Sequence, residues 1–356
     1  MGIMCPCNKC CLNNNLDNFY DQIPKEYLNS LKKGLSPKKK YNNKISNDTI
    51  IKSLIKDDDI YYGQVVNGNI RNGNGKMIKK LENNDKEYIN GIWEDDELKY
   101  GRIIDNNGEY EGEIKDYLYN GTGKYIDRKT NYLFEGQWEN GELNGEGEIK
   151  YGDGCFYKGK VKKSKKEGEG KMKWTNGIYY EGNFKNDIMD GKGIIIGNNG
   201  NKYEGEFKNG LYNGQGKFTW VQEKEEYKGN YAYGRKEGYG EYKFKNGNLY
   251  KGNWIDDKAH GEGLFETKNK VYRCTYHLGL KLEVIDCFNK INDNSNEIID
   301  LDIKTFNEDI IISELTHINT KLLQSSLLNS TANGYGVNDG LIDNNENDDT
   351  HLNEKK

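Results

Sequence analysis

Proline is nearly missing from this 356-residue chain, with three residues in all, and so is any apolar run near the roughly 18 residues needed to span a bilayer. No segment near the N-terminus has the form of a secretion signal, so the expectation is a soluble intracellular chain. Hydrophobic residues make up only 34% of it, too few for the two packed cores that its length would otherwise allow. Seven cysteines are too unevenly placed for a disulfide framework, since four crowd into the first eleven residues while Cys155, Cys274 and Cys287 lie far apart. Histidine is scarce as well. His260, His277, His317 and His351 form no motif with cysteine or carboxylates, which points away from an enzyme and from a bound metal or other cofactor.

Against these shortages stand 43 glycines, 27 tyrosines and 48 asparagines. The glycines and tyrosines are ordered. Aromatic-x-Gly recurs at Tyr110/Gly112, Phe134/Gly136, Tyr157/Gly159, Tyr180/Gly182, Tyr203/Gly205, Tyr227/Gly229 and Tyr250/Gly252, in steps of 23 or 24 residues. Nine residues after each of these glycines a Gly-x-Gly begins, from Gly121/Gly123 to Gly261/Gly263. Two residues after the first glycine the side chain is apolar in every unit: Ile114, Trp138, Val161, Phe184, Phe207, Tyr231 and Trp254.

Alternation at period two is a strand pattern, and a second strand follows each Gly-x-Gly. Asn-Gly or Asp-Gly before the next unit, as at Asn107-Gly108, Asp153-Gly154, Asn176-Gly177, Asn199-Gly200 and Asn246-Gly247, offers the positive-φ residues of a tight hairpin turn. A ring on one strand can lie over a bare glycine on its neighbour, so rows of aromatics and rows of glycines should complement each other across a sheet. A unit this poor in apolar residues cannot bury its own face and must stack on its neighbours. The glycines recur with the repeat and open no helix, which marks them as structural and not as a phosphate loop.

These residues resemble the MORN repeat, the membrane occupation and recognition nexus. Phe134-Glu-Gly-Gln-Trp138 with Gly141, Gly145 and Gly147, and Tyr203-Glu-Gly-Glu-Phe207 with Gly210, Gly214 and Gly216, fit its pattern throughout. The resemblance covers about residues 61 to 281, as about nine units and a partial tenth. It weakens in the units read from Tyr62, from Tyr88 and from Tyr272, where Cys274 replaces the first glycine. It implies an all-β, elongated, single-layer antiparallel β-meander of tandem hairpins. It also implies a scaffold, often found at membranes or cytoskeletal structures. The asparagine runs fit an AT-rich genome such as those of malaria-type parasites, and by analogy an apicomplexan type of scaffold at the cortical cytoskeleton.

The flanks differ from the array. Residues 1–60 read as a mostly disordered segment rich in Cys and Lys. Cys5, Cys7, Cys10 and Cys11 are candidates for palmitate, and Gly2 is a weaker one for myristate because Pro6 stands where the acceptor pattern wants Ser or Thr. Zinc is the competing use of the four thiols, but they pack into seven residues without two separated knuckles; unmodified thiols are the third reading. From Lys25 to Lys44 seven lysines meet one acid, and Lys32, Lys33, Lys38, Lys39 and Lys40 supply the basic patch that stable lipid anchoring needs as its second signal.

Residues 282–329 are expected to form a cap with an amphipathic helix, its stripe made by Ile311, Leu315, Ile318 and Leu322. That helix would cover the last hairpin or dock a partner, a second copy of the chain included, so a homodimer is allowed. Residues 330–356 read as a disordered acidic tail. The acidic end argues against nucleic acid as a partner.

The combined expectation is a non-enzymatic scaffold that binds proteins and is peripheral to a cytosolic membrane face or the cortical cytoskeleton. The alternative is a module whose sheet reads phosphoinositides directly, through lysines such as Lys162, Lys163, Lys165 and Lys166.

Overall fold

The computed structural model describes residues 19–35, 48–56 and 58–289. Helix α1 spans Lys25–Lys32. Strands β1 to β11 are Ile50–Lys56, Asp59–Val66, Ile70–Lys80, Lys86–Glu94, Glu97–Ile104, Gly108–Lys115, Leu118–Asp127, Leu133–Glu139, Glu142–Lys150, Phe156–Lys162 and Lys165–Lys173. Strands β12 to β21 are Tyr179–Lys185, Ile188–Ile196, Lys202–Lys208, Leu211–Trp220, Glu225–Ala232, Arg235–Lys243, Leu249–Ile255, Lys258–Glu266, Lys270–His277 and Leu280–Asn289. They form an open antiparallel meander, and the all-β expectation holds. The chain divides into two compact units, Met1–Glu181 and Gly182–Lys356.

Each unit of sequence folds as the alternation demands. In β14 Tyr203 and Phe207 are buried while Lys208, Glu204 and Glu206 stay toward solvent. Its glycine faces another glycine on the next strand, Gly205 opposite Gly216, and Gly216 in turn faces Gly229. The same row runs through Gly112, Gly123, Gly136, Gly147, Gly159 and Gly170 in the first unit. Tyrosine rings occupy the space above it: a methyl group at Gly216 would stand 2.5 Å from Cε2 of Tyr203. A bare glycine row is therefore a seat for the ring, as expected from sequence.

Directly after the first glycine the pairing slips. Register shifts follow Gly112, Gly136, Gly159, Gly205, Gly229 and Gly252, each a β-bulge in the same place of its unit. At the bulges after Gly112, Gly159, Gly205 and Gly229 the hydroxyl of the buried tyrosine reaches a backbone carbonyl three residues on. Tyr110 Oη donates to Glu113 O at 2.8 Å, Tyr157 to Lys160 O at 2.6 Å, Tyr203 to Glu206 O at 2.8 Å and Tyr227 to Asn230 O at 3.1 Å. That bond explains tyrosine where phenylalanine would fill the space equally well.

Units interlock through the same rings. Tyr110 meets Trp138 of the following unit edge to face at 5.6 Å between centroids, Tyr203 meets Tyr231 at 5.2 Å, and Tyr227 meets Trp254 at 5.2 Å. Each unit thus finishes the core of the one before it.

Turn chemistry follows the reading in part. Gly154, Gly177, Gly200 and Gly247 take positive φ between units, whereas Gly108 instead opens β6 as a strand residue. Inside the units both turn residues are left-handed, as at Asn140/Gly141, Lys163/Ser164 and Asp256/Asp257, the mirror-type turn that matches strand twist.

At the ends the structure corrects the sequence reading. The first hairpin uses Tyr61 and not Tyr62 as its buried ring, packed on Trp93 at 5.1 Å with its hydroxyl on Gln64 O. In the next, fully buried Ile89 holds the tyrosine position, while Tyr88 turns to the opposite face. Residues 19–35 and 50–56, read as part of a mostly disordered flank, contain α1 and β1. Strand β21 runs to Asn289, past the boundary expected at residue 281. The expected helix with Ile311, Leu315, Ile318 and Leu322 lies outside the described residues, as does the acidic tail.

Candidate functional site

The sheet has two faces, and they are spent differently. The ring face is consumed by the repeat itself: Tyr110, Phe134, Trp138, Tyr157, Tyr180, Phe184, Tyr203, Phe207, Tyr227, Tyr250 and Trp254 are all buried. The middle residue of each aromatic-x-Gly triplet points the other way. There Glu111 pairs with Lys124, Glu204 with Lys217 and Glu241 with Lys251 across strands. Ion pairs such as Lys158–Glu148 at 2.6 Å, Lys171–Glu181 at 3.0 Å and Lys217–Glu226 at 2.7 Å run along this second face. Exposed pairs of this kind add little stability.

At the N-terminal end of the first unit the second face changes character. Ile60, Ile78, Tyr88 and Ile104 are cross-strand neighbours on β2 to β5, and Phe19, Ile23, Tyr27 and Leu31 pack over them. Phe19, Ile23, Tyr27 and Leu31 recur every four residues, a spacing legible in the sequence among the lysines around it, although only Tyr27 and Leu31 lie on α1 itself. Tyr27 and Tyr88 rings lie 5.3 Å apart, and the Arg128 guanidinium sits 4.4 Å over the Tyr27 ring.

The C-terminal end of α1 is held by the sheet. Arg102, 5% exposed, donates from Nη1 to Ser30 O at 2.5 Å and to Lys33 O at 3.2 Å, while its charge meets Glu109 at 3.2 Å and also Glu111. Asn90 Nδ2 donates to Leu31 O at 3.1 Å. Carbonyls at a helix C-terminus have no partner within the helix, and these side chains supply one.

Beside this junction lies a groove of about 510 Å³, lined by Lys32, Lys33, Lys76, the amides of Gln64, Asn74 and Asn90, and the apolar Leu35, Ile51 and Ile92. Lys32 and Lys76 approach one ring, that of Tyr20, at 5.1 and 4.9 Å, and Lys76 also donates to its hydroxyl. Three lysines around one groove suit an anion.

Lys32 and Lys33 of the expected basic patch are exposed here. Gly2, Cys5, Cys7, Cys10, Cys11, Lys38, Lys39 and Lys40 lie outside the described residues. The described cysteines Cys155, Cys274 and Cys287 are free thiols and buried.

The lysines proposed for a lipid-reading sheet do not form one surface. Lys162, Lys163 and Lys165 are exposed, but Lys166 is 7% exposed and turns into the ring face, its ammonium 2.9 Å from Tyr151 Oη. Lys236, at the equivalent place three units on, is 3% exposed inside a box of Trp220, Tyr227, Tyr242 and Trp254, 4.9 to 5.4 Å from each ring centroid. Burial lowers its pKa to about 8 against the pull of Asp257 and Glu225. Burial likewise raises Asp257 above the usual carboxylate range, and Tyr242 donates to Glu225 at 2.7 Å. Sequence periodicity reads such a position as one more strand lysine, since nothing local marks it as interior.

No helix among the described residues is long and apolar enough to cross a membrane. His260 and His277 lie 5.3 Å apart between ring centroids, with His260 Nδ1 accepting the Leu278 N–H at 3.4 Å.

Comparison with known families finds the MORN repeat model matching residues 110–131, 134–156, 157–179, 180–202, 203–222, 227–249 and 250–270, the seven units delimited by the aromatic-x-Gly marks. No curated protein matches the chain.

Proposed function

Starting from a chain that carries seven tandem MORN repeats, we propose a non-enzymatic scaffold that assembles proteins at a cytosolic membrane face or the cortical cytoskeleton. The observation that carries this reading is the division of labour between the two faces. Rings and glycines are used up in holding units together, while a charged face recurs with every unit, so partners meet a regular, solvated surface. Repeat folds supply such extended surfaces, and the targets are set by what decorates them.

The membrane half of the proposal rests on the N-terminal segment: acyl groups on Cys5, Cys7, Cys10 and Cys11, with Gly2 as a weaker site, and positive charge from Lys32, Lys33, Lys38, Lys39 and Lys40. In cells, a variant with the four cysteines changed to Ser is expected to move from the membrane to the soluble fraction. Equal distribution of variant and wild type removes the anchor from the proposal and leaves the scaffold. The Ile311 to Leu322 stripe is proposed to dock a partner or a second copy, which light scattering with and without residues 290–356, beyond β21, tests.

A second reading, direct recognition of phosphoinositides, is favoured by the groove with Lys32, Lys33 and Lys76. Unacylated full-length protein made in bacteria would float with phosphoinositide vesicles, and Lys32→Glu with Lys33→Glu would abolish flotation. Failure of the wild type to float rejects this reading.

A further inference from the structure

Strand β1 has β2 as its sole strand partner among the described residues. Its other edge carries a row of backbone N–H and C=O groups, and native proteins blunt such an edge with charge, proline or a cover. In β1 the sequence is Ile-Ile-Lys-Ser-Leu-Ile-Lys, with Ile50 52%, Ile51 53% and Ile55 77% exposed. Three large aliphatic side chains in seven residues is a heavy share of apolar surface for an open edge. The nearer charge is drawn inward: Lys52 Nζ donates to Asn69 Oδ1 at 2.8 Å and to Gly68 O at 3.3 Å, in the turn between β2 and β3.

Such an edge accepts one more strand, and the register tells which. Let a second copy add its β1 antiparallel about a two-fold axis perpendicular to the sheet. Side chains alternate faces with period two, so facing residues must share a face and the axis must pass midway between the two copies of one residue. Centring on Lys52 sets Lys52 against Lys52 of the partner subunit. Centring on Leu54 sets Lys52 against Lys56 of the partner subunit, twice. Like charges directly opposite are destabilising. Centring on Ser53 avoids both clashes and pairs all seven residues. It places Ile51 against Ile55 of the partner subunit, Lys52 against Leu54 of the partner subunit and Lys56 against Ile50 of the partner subunit.

We propose that the β1 edge is a self-recognition surface, on which a second copy of this chain pairs antiparallel about Ser53 and continues the sheet across the two molecules. The contact is isologous and closes at two copies. It differs in place from the tail-mediated association considered above, and it stands whether or not the chain is anchored to a membrane. Strand β21 is the contrasting edge: Leu280 and Leu282 are 68% and 65% exposed, but Glu283 and Asp286 are acidic, and Asp286 is already paired with Arg273.

Light scattering of the full-length protein over a concentration series is expected to give a dimer. Ile55→Lys, at a side chain 77% exposed in the single chain, is expected to weaken the dimer at least about tenfold while leaving circular dichroism and melting unchanged. Ser53→Cys is expected to yield, on mild oxidation, a disulfide joining position 53 of the two copies, identified by peptide mapping. Leu282→Lys is expected to leave the dimer intact. A monomer throughout the series, a dimer untouched by Ile55→Lys, or a dimer dissolved by Leu282→Lys each overturns the proposal. A dimer without the disulfide overturns the register about Ser53.

Discussion

The hydroxyl of Tyr203 donates to the carbonyl of Glu206, three residues on and 2.8 Å away, across the β-bulge that follows Gly205. Ring, glycine and bulge are one device, repeated along the array. Tyr203→Phe keeps the ring and leaves a carbonyl without its donor, so a loss of about 1 kcal/mol is expected, read as a lower urea midpoint of the full-length protein. No change would mean that water serves that carbonyl as well as the tyrosine does.

The glycine opposite is expected to be less forgiving. Gly216→Ala would press a methyl to 2.5 Å from Tyr203 Cε2 and 2.6 Å from its Cζ, and an overpacked site of this kind costs about 1 to 3 kcal/mol. Gly34→Ala is the control, because nothing lies within 4 Å of a methyl there. Equal thermal melting of the two variants would contradict the packing described.

Lys236 gives a pH signature. Burial lowers its folded-state pKa to about 8 from an ordinary 10.5, so between these values the unfolded chain binds more protons and stability rises with pH. Below pH 8 the ammonium is charged in both states and the folded state carries the penalty left after Asp257 and Glu225 have offset part of the burial, on the order of 3 kcal/mol. In Lys236→Met the rise between about pH 8 and 10.5 should vanish relative to wild type, as followed by denaturant unfolding at each pH. The two carboxylates would lose their counter-charge, so the variant's gain at pH 7 should be smaller than the penalty alone.

Leu31, 1% exposed, locks α1 to the second face. Leu31→Ala is expected to cost about 2 to 3 kcal/mol locally. Hydrogen exchange should quicken in α1 and at Tyr88 and Ile104, and remain unchanged from Tyr203 to Phe265. Uniform loss of protection would show that helix and array unfold as one.

Local pattern carried the array. Period-two alternation, glycines at fixed offsets and left-handed turn residues all act over a few neighbours, so the strands, their hairpins and the buried rows from Tyr110 to Trp254 were legible in the chain. The MORN match to residues 110–270 follows the same marks. Where those marks fade, tertiary contacts chose. Tyr61 and Tyr62 are adjacent aromatics, and only the ring of Trp93 decides which of them is interior. Tyr88 looks like a repeat tyrosine but serves α1, because Ile89 already fills its place.

Lys166 and Lys236 are the clearest case. Their sequence surroundings are those of any strand lysine, and their burial arises from rings on neighbouring strands and the turns between them, such as Trp254 and Tyr151. The sequence by itself determined a glycine-and-tyrosine meander, since that follows from backbone freedom and side-chain period. Which charges go inside and which face the N-terminal helix covers were decided only when neighbouring strands, and the helix across them, came together.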